Sequence, residues 1–198
     1  MDCILISSES DLEKEHELLN EMFRIGLRIF HLRKPSYSSE KMSAYLDKIN
    51  PEYHSRIMIH SHHHLAETYG LRGIHFTEKG RKSLSAPYGS SLPASSGFHS
   101  LEALSQYKNS FEYRFLSPIF DSVSKAGYTS GFELGELRKF LFSYSGKIIA
   151  LGGVKPENTH KIKLSGFSGF AVLGAVWQSQ NPVNTLREFL RISEENVS

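Results

Sequence analysis

Eight short apolar runs alternate with helix-like segments along 198 residues, roughly 25 residues per unit. This predicts an α/β fold whose parallel sheet closes into a single-domain (β/α)8 barrel, the TIM-barrel architecture. A second observation points the same way. Residues 148–177 read as strand, Gly152-Gly153, helix, strand and then Gly174. In a barrel of this kind the last two βα loops commonly hold a phosphate. A doubly wound open sheet is the alternative. Against it, the first βα turn, Ser7-Ser8-Glu9-Ser10, has no glycine fingerprint for a dinucleotide.

The elements follow in order. Cys3-Ile4-Leu5-Ile6 is the first strand. Ser10 or Asp11 can cap a helix carrying Leu12, Leu18, Leu19, Met22 and Phe23 at helical spacing, which Gly26 ends. Residues 28–33 form strand two, closed by Lys34-Pro35. Ser38 and Ser39 open a helix bearing Met42, Tyr45, Leu46 and Ile49, and Asn50-Pro51 stops it. Ile57-Met58-Ile59 is strand three and runs directly into His60-Ser61-His62-His63-His64. A short helix from Leu65 ends at Gly70, and Gly73-Ile74-His75-Phe76 is strand four. Residues 77–96 are rich in Ser, Gly, Pro and Lys without apolar periodicity, and read as a long mobile loop. Gly97-Phe98-His99 is a weak fifth strand before a helix marked by Leu101, Leu104 and Tyr107. Residues 113–120 make strand six, followed by a loop over 121–131 and a helix over 132–142. The strand at 148–151 stops at Gly152-Gly153. Pro156-Glu157-Asn158 starts the next helix, with an acid near the positive end of its dipole, and Gly166 ends it. The strand at 169–173 runs into Gly174, and residues 183–192 form the closing helix.

The bulk properties narrow the class. A formal charge of +2, with no long basic run, argues against nucleic acid as a partner. No apolar stretch approaches the roughly 20 residues of a membrane span, and the N-terminus lacks a signal-peptide pattern. The expectation is a cytoplasmic protein without a membrane partner. Cys3 is the lone cysteine, placed in the first apolar run as a buried thiol.

A barrel places its active site at the carboxyl ends of the strands. Those ends carry His31, Arg33, His60, His62, His75, His99, Ser117, Gly152, Gly153 and Gly174, with Ser122, Ser124 and Lys125 in the loop after strand six. Arg33 and Lys125 can neutralise phosphate oxygens, and the serine hydroxyls can donate to them. Exposed residues of the same types serve as caps and salt-bridge partners, and glycines also serve only to turn. His60 and His62, two apart, would share a face at a strand end. With His31, His75 or His99 they could bind zinc or a similar ion. No acid stands at these ends to complete a hydrolase-type metal site, so histidines lining an anion pocket, or solvated on a loop, are the other readings.

Over nearly the whole chain the sequence resembles the family of thiamine phosphate synthase and its relative the thiazole tautomerase. The matching stretches are HLR at His31 to Arg33, GIHF at Gly73 to Phe76, SPIFDSVSK at Ser117 to Lys125, ALGGVKPEN at Ala150 to Asn158, and AVLGAV at Ala171 to Val176. The resemblance implies a barrel that takes small phosphorylated heterocycles. It would join hydroxymethylpyrimidine diphosphate to a thiazole phosphate and release pyrophosphate, with Mg²⁺ present. Carried over by position, Arg33 contacts the diphosphate, and Ser122, Ser124 and Lys125 hold the diphosphate and the thiazole partner. Arg33 and Lys125 are thus the candidate catalytic cations, with Gly153 and the backbone of Leu173-Gly174 on the thiazole phosphate.

The departures from the family pattern are specific. His31 replaces its glutamine, and its nearby lysine falls at Pro35, with Lys34 adjacent as a substitute. His60-Ser61 replace an Asn-Asp pair, and the acid after strand four has only Glu78 nearby. His60, His62 and Glu78 are therefore the candidate metal ligands in place of the usual acids. The tautomerase histidine falls at Pro118, which is synthase-like. The leading reading is a synthase with a remodelled metal site. The alternatives are a thiazole phosphate isomerase or histidine-metal enzyme on the same scaffold, and a non-catalytic phosphate-ligand binding protein. Oligomeric state is left open.

Overall fold

A computed structural model describes residues 1–84, 91–107, 111–120 and 132–195. The strands are β1 (Asp2–Ile6), β2 (Ile29–Leu32), β3 (Ile57–Ile59), β4 (Gly73–Phe76), β5 (Ala94–Phe98), β6 (Tyr113–Leu116), β7 (Lys147–Leu151) and β8 (Gly169–Val172). They are all parallel and close in sequence order, with β8 paired back onto β1. The expected (β/α)8 barrel is present.

Around the barrel run α1 (Glu15–Arg24), α2 (Ser39–Leu46), α3 (Leu65–Thr68), α4 (Glu78–Lys82), α5 (Leu101–Gln106), α6 (Leu134–Ser143), α7 (Thr159–Ser165), α8 (Gly174–Trp177) and α9 (Pro182–Glu194). Two apolar layers result from the strand alternation. Outward residues such as Leu5, Phe30, Ile59, Phe98 and Phe170 pack under the helices. Inward residues Ile4, Ile6, Ile29, Met58, Phe115, Ile149 and Ala171 fill the barrel. Cys3 is buried, as its apolar run implies.

Several local expectations hold. Ser38 caps α2 by accepting from the Lys41 N–H at 3.3 Å, and Gly166 closes α7 in the left-handed region at φ 94°. The expected cap of α1 does not form. Lys14 stands there without a side-chain cap. Asp11 instead takes Tyr37 and Lys41, and the Ser10 carbonyl accepts from Lys34.

The long-loop expectation for 77–96 is also corrected. Thr77 caps α4 through the Gly80 N–H at 3.1 Å, and β5 begins at Ala94 rather than at Gly97. Polar residues form these elements because other segments satisfy them. Ser96 donates to the Phe76 carbonyl at 2.9 Å and accepts from Arg81 Nε at 3.2 Å, while the Arg81 guanidinium lies 3.9 Å from the Phe98 ring centroid. Residues 85–90 and the loop 121–131 lie outside the described residues.

Candidate active site

At the carboxyl ends of the strands lies a cavity of about 630 Å³, a size suited to a small-molecule site. Ile6, Phe115, Leu151, Ala171 and Val172 supply its apolar walls. On one side are Arg33, His60, His75, His99 and Ser117; on the other are Gly152, Gly153, Leu173 and Gly174. Ten of the expected site residues (Arg33, His60, His75, Glu78, His99, Ser117, Gly152, Gly153, Leu173 and Gly174) therefore line one cavity. Ser122, Ser124 and Lys125 lie outside the described residues.

The glycine side is built from main chain. Gly152 and Gly153 have φ of 97° and 64°, which side-chain-bearing residues adopt only under strain. A Cβ on Gly152 would also lie 3.0 Å from Pro118 Cα. Asn158 braces the turn, donating from Nδ2 to the Gly153 carbonyl and accepting from the Lys155 N–H, both at 2.9 Å. Opposite, Trp177 Nε1 donates to the Ile6 carbonyl at 2.7 Å and ties α8 to the barrel. Phe120 N donates to the Gly152 carbonyl at 3.1 Å, so the segment after β6 closes over the turn.

The cationic side is paired but accessible. Arg33 forms an ion pair with Glu9 while keeping 36% of its side chain exposed. His99 Nδ1 donates to the Ser117 carbonyl at 2.9 Å.

Beneath them lies a cluster of imidazoles. His31 Nδ1 and His60 Nε2 are hydrogen-bonded at 2.9 Å, and the His60 and His75 rings stack at 4.0 Å. His31 Nε2 is 2.6 Å from the Tyr113 hydroxyl, and His75 Nδ1 is 2.8 Å from Ser95 Oγ. Register explains the convergence: His75 pairs with Ser95, and Ser95 with Tyr113, on adjacent strands. Burial, reinforced by the neighbouring His75, holds His31 and His60 well below the ordinary histidine range. Burial, with smaller repulsions from His63 and Arg33, pushes His75 down to about 3. All three are neutral at pH 7.

Three expectations are corrected by this geometry. Lys34 does not line the cavity. Its ammonium is fully buried, 2.6 Å from Glu15, which also accepts from Tyr45 at 2.9 Å. His31, equally buried, sits behind His60 and His75 rather than on the cavity surface. His62 leaves the cluster because β3 ends at Ile59 and the two-residue alternation ends with it. His62 takes φ 53°, and its Nε2 donates to the Tyr37 carbonyl at 2.8 Å. Glu78 reaches the cavity wall but pairs with Lys82 at 2.6 Å. The structure also adds Glu9, Thr77, Lys155, Gln178 and Ser179 to the lining, isolated polar residues that no spacing in the sequence singles out.

Among the described residues, the donor set does not fit a protein-held Mg²⁺. That ion takes oxygen ligands, usually one or two carboxylates. Among the described residues, the carboxylates lining the cavity are Glu9 and Glu78, each engaged by a cation. The converging donors are imidazole nitrogens, which suit zinc and its transition-metal neighbours.

Comparison with known proteins agrees with this architecture. A thiamine phosphate pyrophosphorylase from Bacteroides thetaiotaomicron superposes with a TM-score of 0.84 at 29% identity, covering 99% of this chain and 100% of that one. One from Pyrococcus furiosus gives 0.77 at 20% identity over 98% and 95% of the two chains, which speaks to the fold alone. The thiamine-phosphate synthase of Archaeoglobus fulgidus is 21% identical over 93% of this chain and 90% of its own length. The sequence profile of the thiamine monophosphate synthase family matches residues 3–176, and the chain belongs to that family.

Proposed function

We propose that the protein is a thiamine phosphate synthase, a transferase that joins hydroxymethylpyrimidine diphosphate to a thiazole phosphate and releases pyrophosphate in thiamine biosynthesis. The observation that carries this reading is a single cavity lined by Arg33, His99 and Ser117 on one hand and by the glycines 152, 153 and 174 on the other, with apolar walls between them. Two phosphorylated heterocycles placed there would bring their rings together over Ile6, Phe115 and Ala171. The absence of a membrane-crossing helix among the described residues is compatible with a cytoplasmic enzyme.

The residues divide the work. Arg33, with His99 and Ser117 beside it, receives the diphosphate. Ser122, Ser124 and Lys125 join it on the strength of the sequence match. The backbone N–H groups around Gly152, Gly153 and Gly174 receive the thiazole phosphate, as backbone nests hold anions. The carbon–oxygen bond to the diphosphate breaks and its electron pair leaves with pyrophosphate. The pyrimidine-methyl cation is captured by the lone pair of the thiazole nitrogen, forming the carbon–nitrogen bond. No proton moves in this step, so neutral imidazoles are no obstacle to it. Catalysis lies in stabilising the departing charge, which preorganised cations do best in a water-poor site. Because the donor set among the described residues does not match Mg²⁺, that stabilisation falls to Arg33, Lys125 and the exposed Lys155 at the cavity rim.

The test is a coupling assay with the two substrates, following thiamine phosphate and pyrophosphate together. Equimolar appearance of both is the expected result. Binding of the thiazole phosphate without any product, at saturating pyrimidine diphosphate, would overturn the synthase and leave a phosphate-ligand binding protein.

A further inference from the structure

The imidazole cluster takes no part in the chemistry above, yet two of its three rings, His31 and His75, are buried inside the barrel. Each of its three rings comes from a different strand or strand end, and one nitrogen from each lies within 4.8 Å of the other two. The remaining nitrogens of His31 and His75 are held from outside by Tyr113 and Ser95. An outer shell that grips one nitrogen of two of the three rings, leaving the other free to ligate, is the arrangement of metal-ligating histidines.

We propose that His31, His60 and His75 bind one divalent transition-metal ion of the zinc class, with a fourth coordination position open to the cavity. Three neutral imidazoles plus an exchangeable ligand is a standard zinc donor set. Two Zn–N bonds of about 2.0–2.1 Å at a tetrahedral angle place their nitrogens about 3.3 Å apart. His31 Nδ1 and His60 Nε2, now 2.9 Å apart, are within a few tenths of that separation. Binding replaces their hydrogen bond and turns the His75 ring out of its stack on His60. His60 and His75 line the cavity and give the ion its entry path. The ion site stands on the cluster alone. That its open position takes a diphosphate oxygen rests on the synthase reading.

The experiment is a Zn²⁺ titration of chelator-treated protein against a chromogenic competitor, repeated with Co²⁺ to read coordination from its visible absorption. One ion per chain with a tetrahedral Co²⁺ spectrum is expected. His60→Gln and His75→Gln should each lose stoichiometric binding, and Tyr113→Phe should weaken it by about 10-fold. The double variant His62→Asn/His64→Asn should keep it. If His75→Gln fails to fold, His60→Gln carries the test, since that side chain is only partly buried. Substoichiometric binding by the wild type overturns the site. So does binding that survives His60→Gln and vanishes in the His62/His64 double variant. Inorganic pyrophosphate should bind more tightly to the zinc form than to the metal-free form, and equal affinity overturns the diphosphate role. No heterocyclic substrate enters the metal titration, so it succeeds or fails independently of the coupling assay.

Discussion

The two sides of the barrel mouth are built by different means. Around β2–β4 the chemistry hangs on side chains: Arg33 above, and His31, His60 and His75 beneath. Around β7–β8 it lies in the main chain, where Gly152, Gly153 and Gly174 present backbone and carry no functional groups. Side-chain chemistry can be exchanged one residue at a time, and this is where the resemblance implies a departure from the family pattern, with histidines expected at its glutamine and asparagine positions. Backbone chemistry depends on dihedral angles that few residues tolerate, and there the ALGGVKPEN and AVLGAV stretches keep the family pattern. The difference predicts that variants will separate the two sides.

The largest effect should come from behind the side-chain half. Lys34→Ala leaves Glu15 buried with its cation gone, and breaking a buried pair costs about 3–5 kcal/mol. A denaturation midpoint barely changed would mean that water reaches Glu15. Its neighbour Arg33 should behave oppositely. Arg33→Ala removes an exposed ion pair with Glu9, worth at most about 1 kcal/mol in stability. It should nevertheless lower the rate of pyrophosphate release by about 100-fold, the scale for losing one charge-stabilising donor. Near-normal turnover would take Arg33 out of the site. Next comes Tyr113→Phe, which leaves His31 Nε2 buried without its partner. A cost of about 1–3 kcal/mol follows from one unsatisfied buried group, read from urea unfolding of the metal-free protein.

How much of this was legible in the sequence depends on whether the signal was local. The barrel was, because apolar runs and strand-end glycines carry their meaning within a few residues. Gly152 and Gly153 could be placed for the same reason. The fifth strand was not: Ala94, Ser95 and Ser96 show no apolar alternation, and they form a strand because His75, Phe76 and Arg81 satisfy their hydroxyls from elsewhere in the chain. Lys34 reads as a substitute for the family's substrate-binding lysine until Glu15, at the start of α1, is brought against it. Likewise His60 and His62 look like a pair until β3 is seen to end at Ile59, so that no strand alternation carries on to His62. The cluster that does form joins residues 31, 60 and 75, and that grouping is a property of barrel closure rather than of spacing.

The smallest expected effect gives the sharpest separation of the two sides. Gly152→Ala adds a single methyl at φ 97°, 3.0 Å from a backbone carbon of Pro118. A side chain held in such a region costs about 1–2 kcal/mol, and relief must come from turning the Gly152–Gly153 peptide. That movement misaligns the N–H groups while leaving the imidazole cluster, three strands away at the nearest, in place. The variant should therefore raise KM for the thiazole phosphate several-fold and leave the affinity for inorganic pyrophosphate unchanged. If both fall together, the mouth is one coupled site, because a backbone change at β7 can reach the Arg33 side only through ligand-binding geometry common to both.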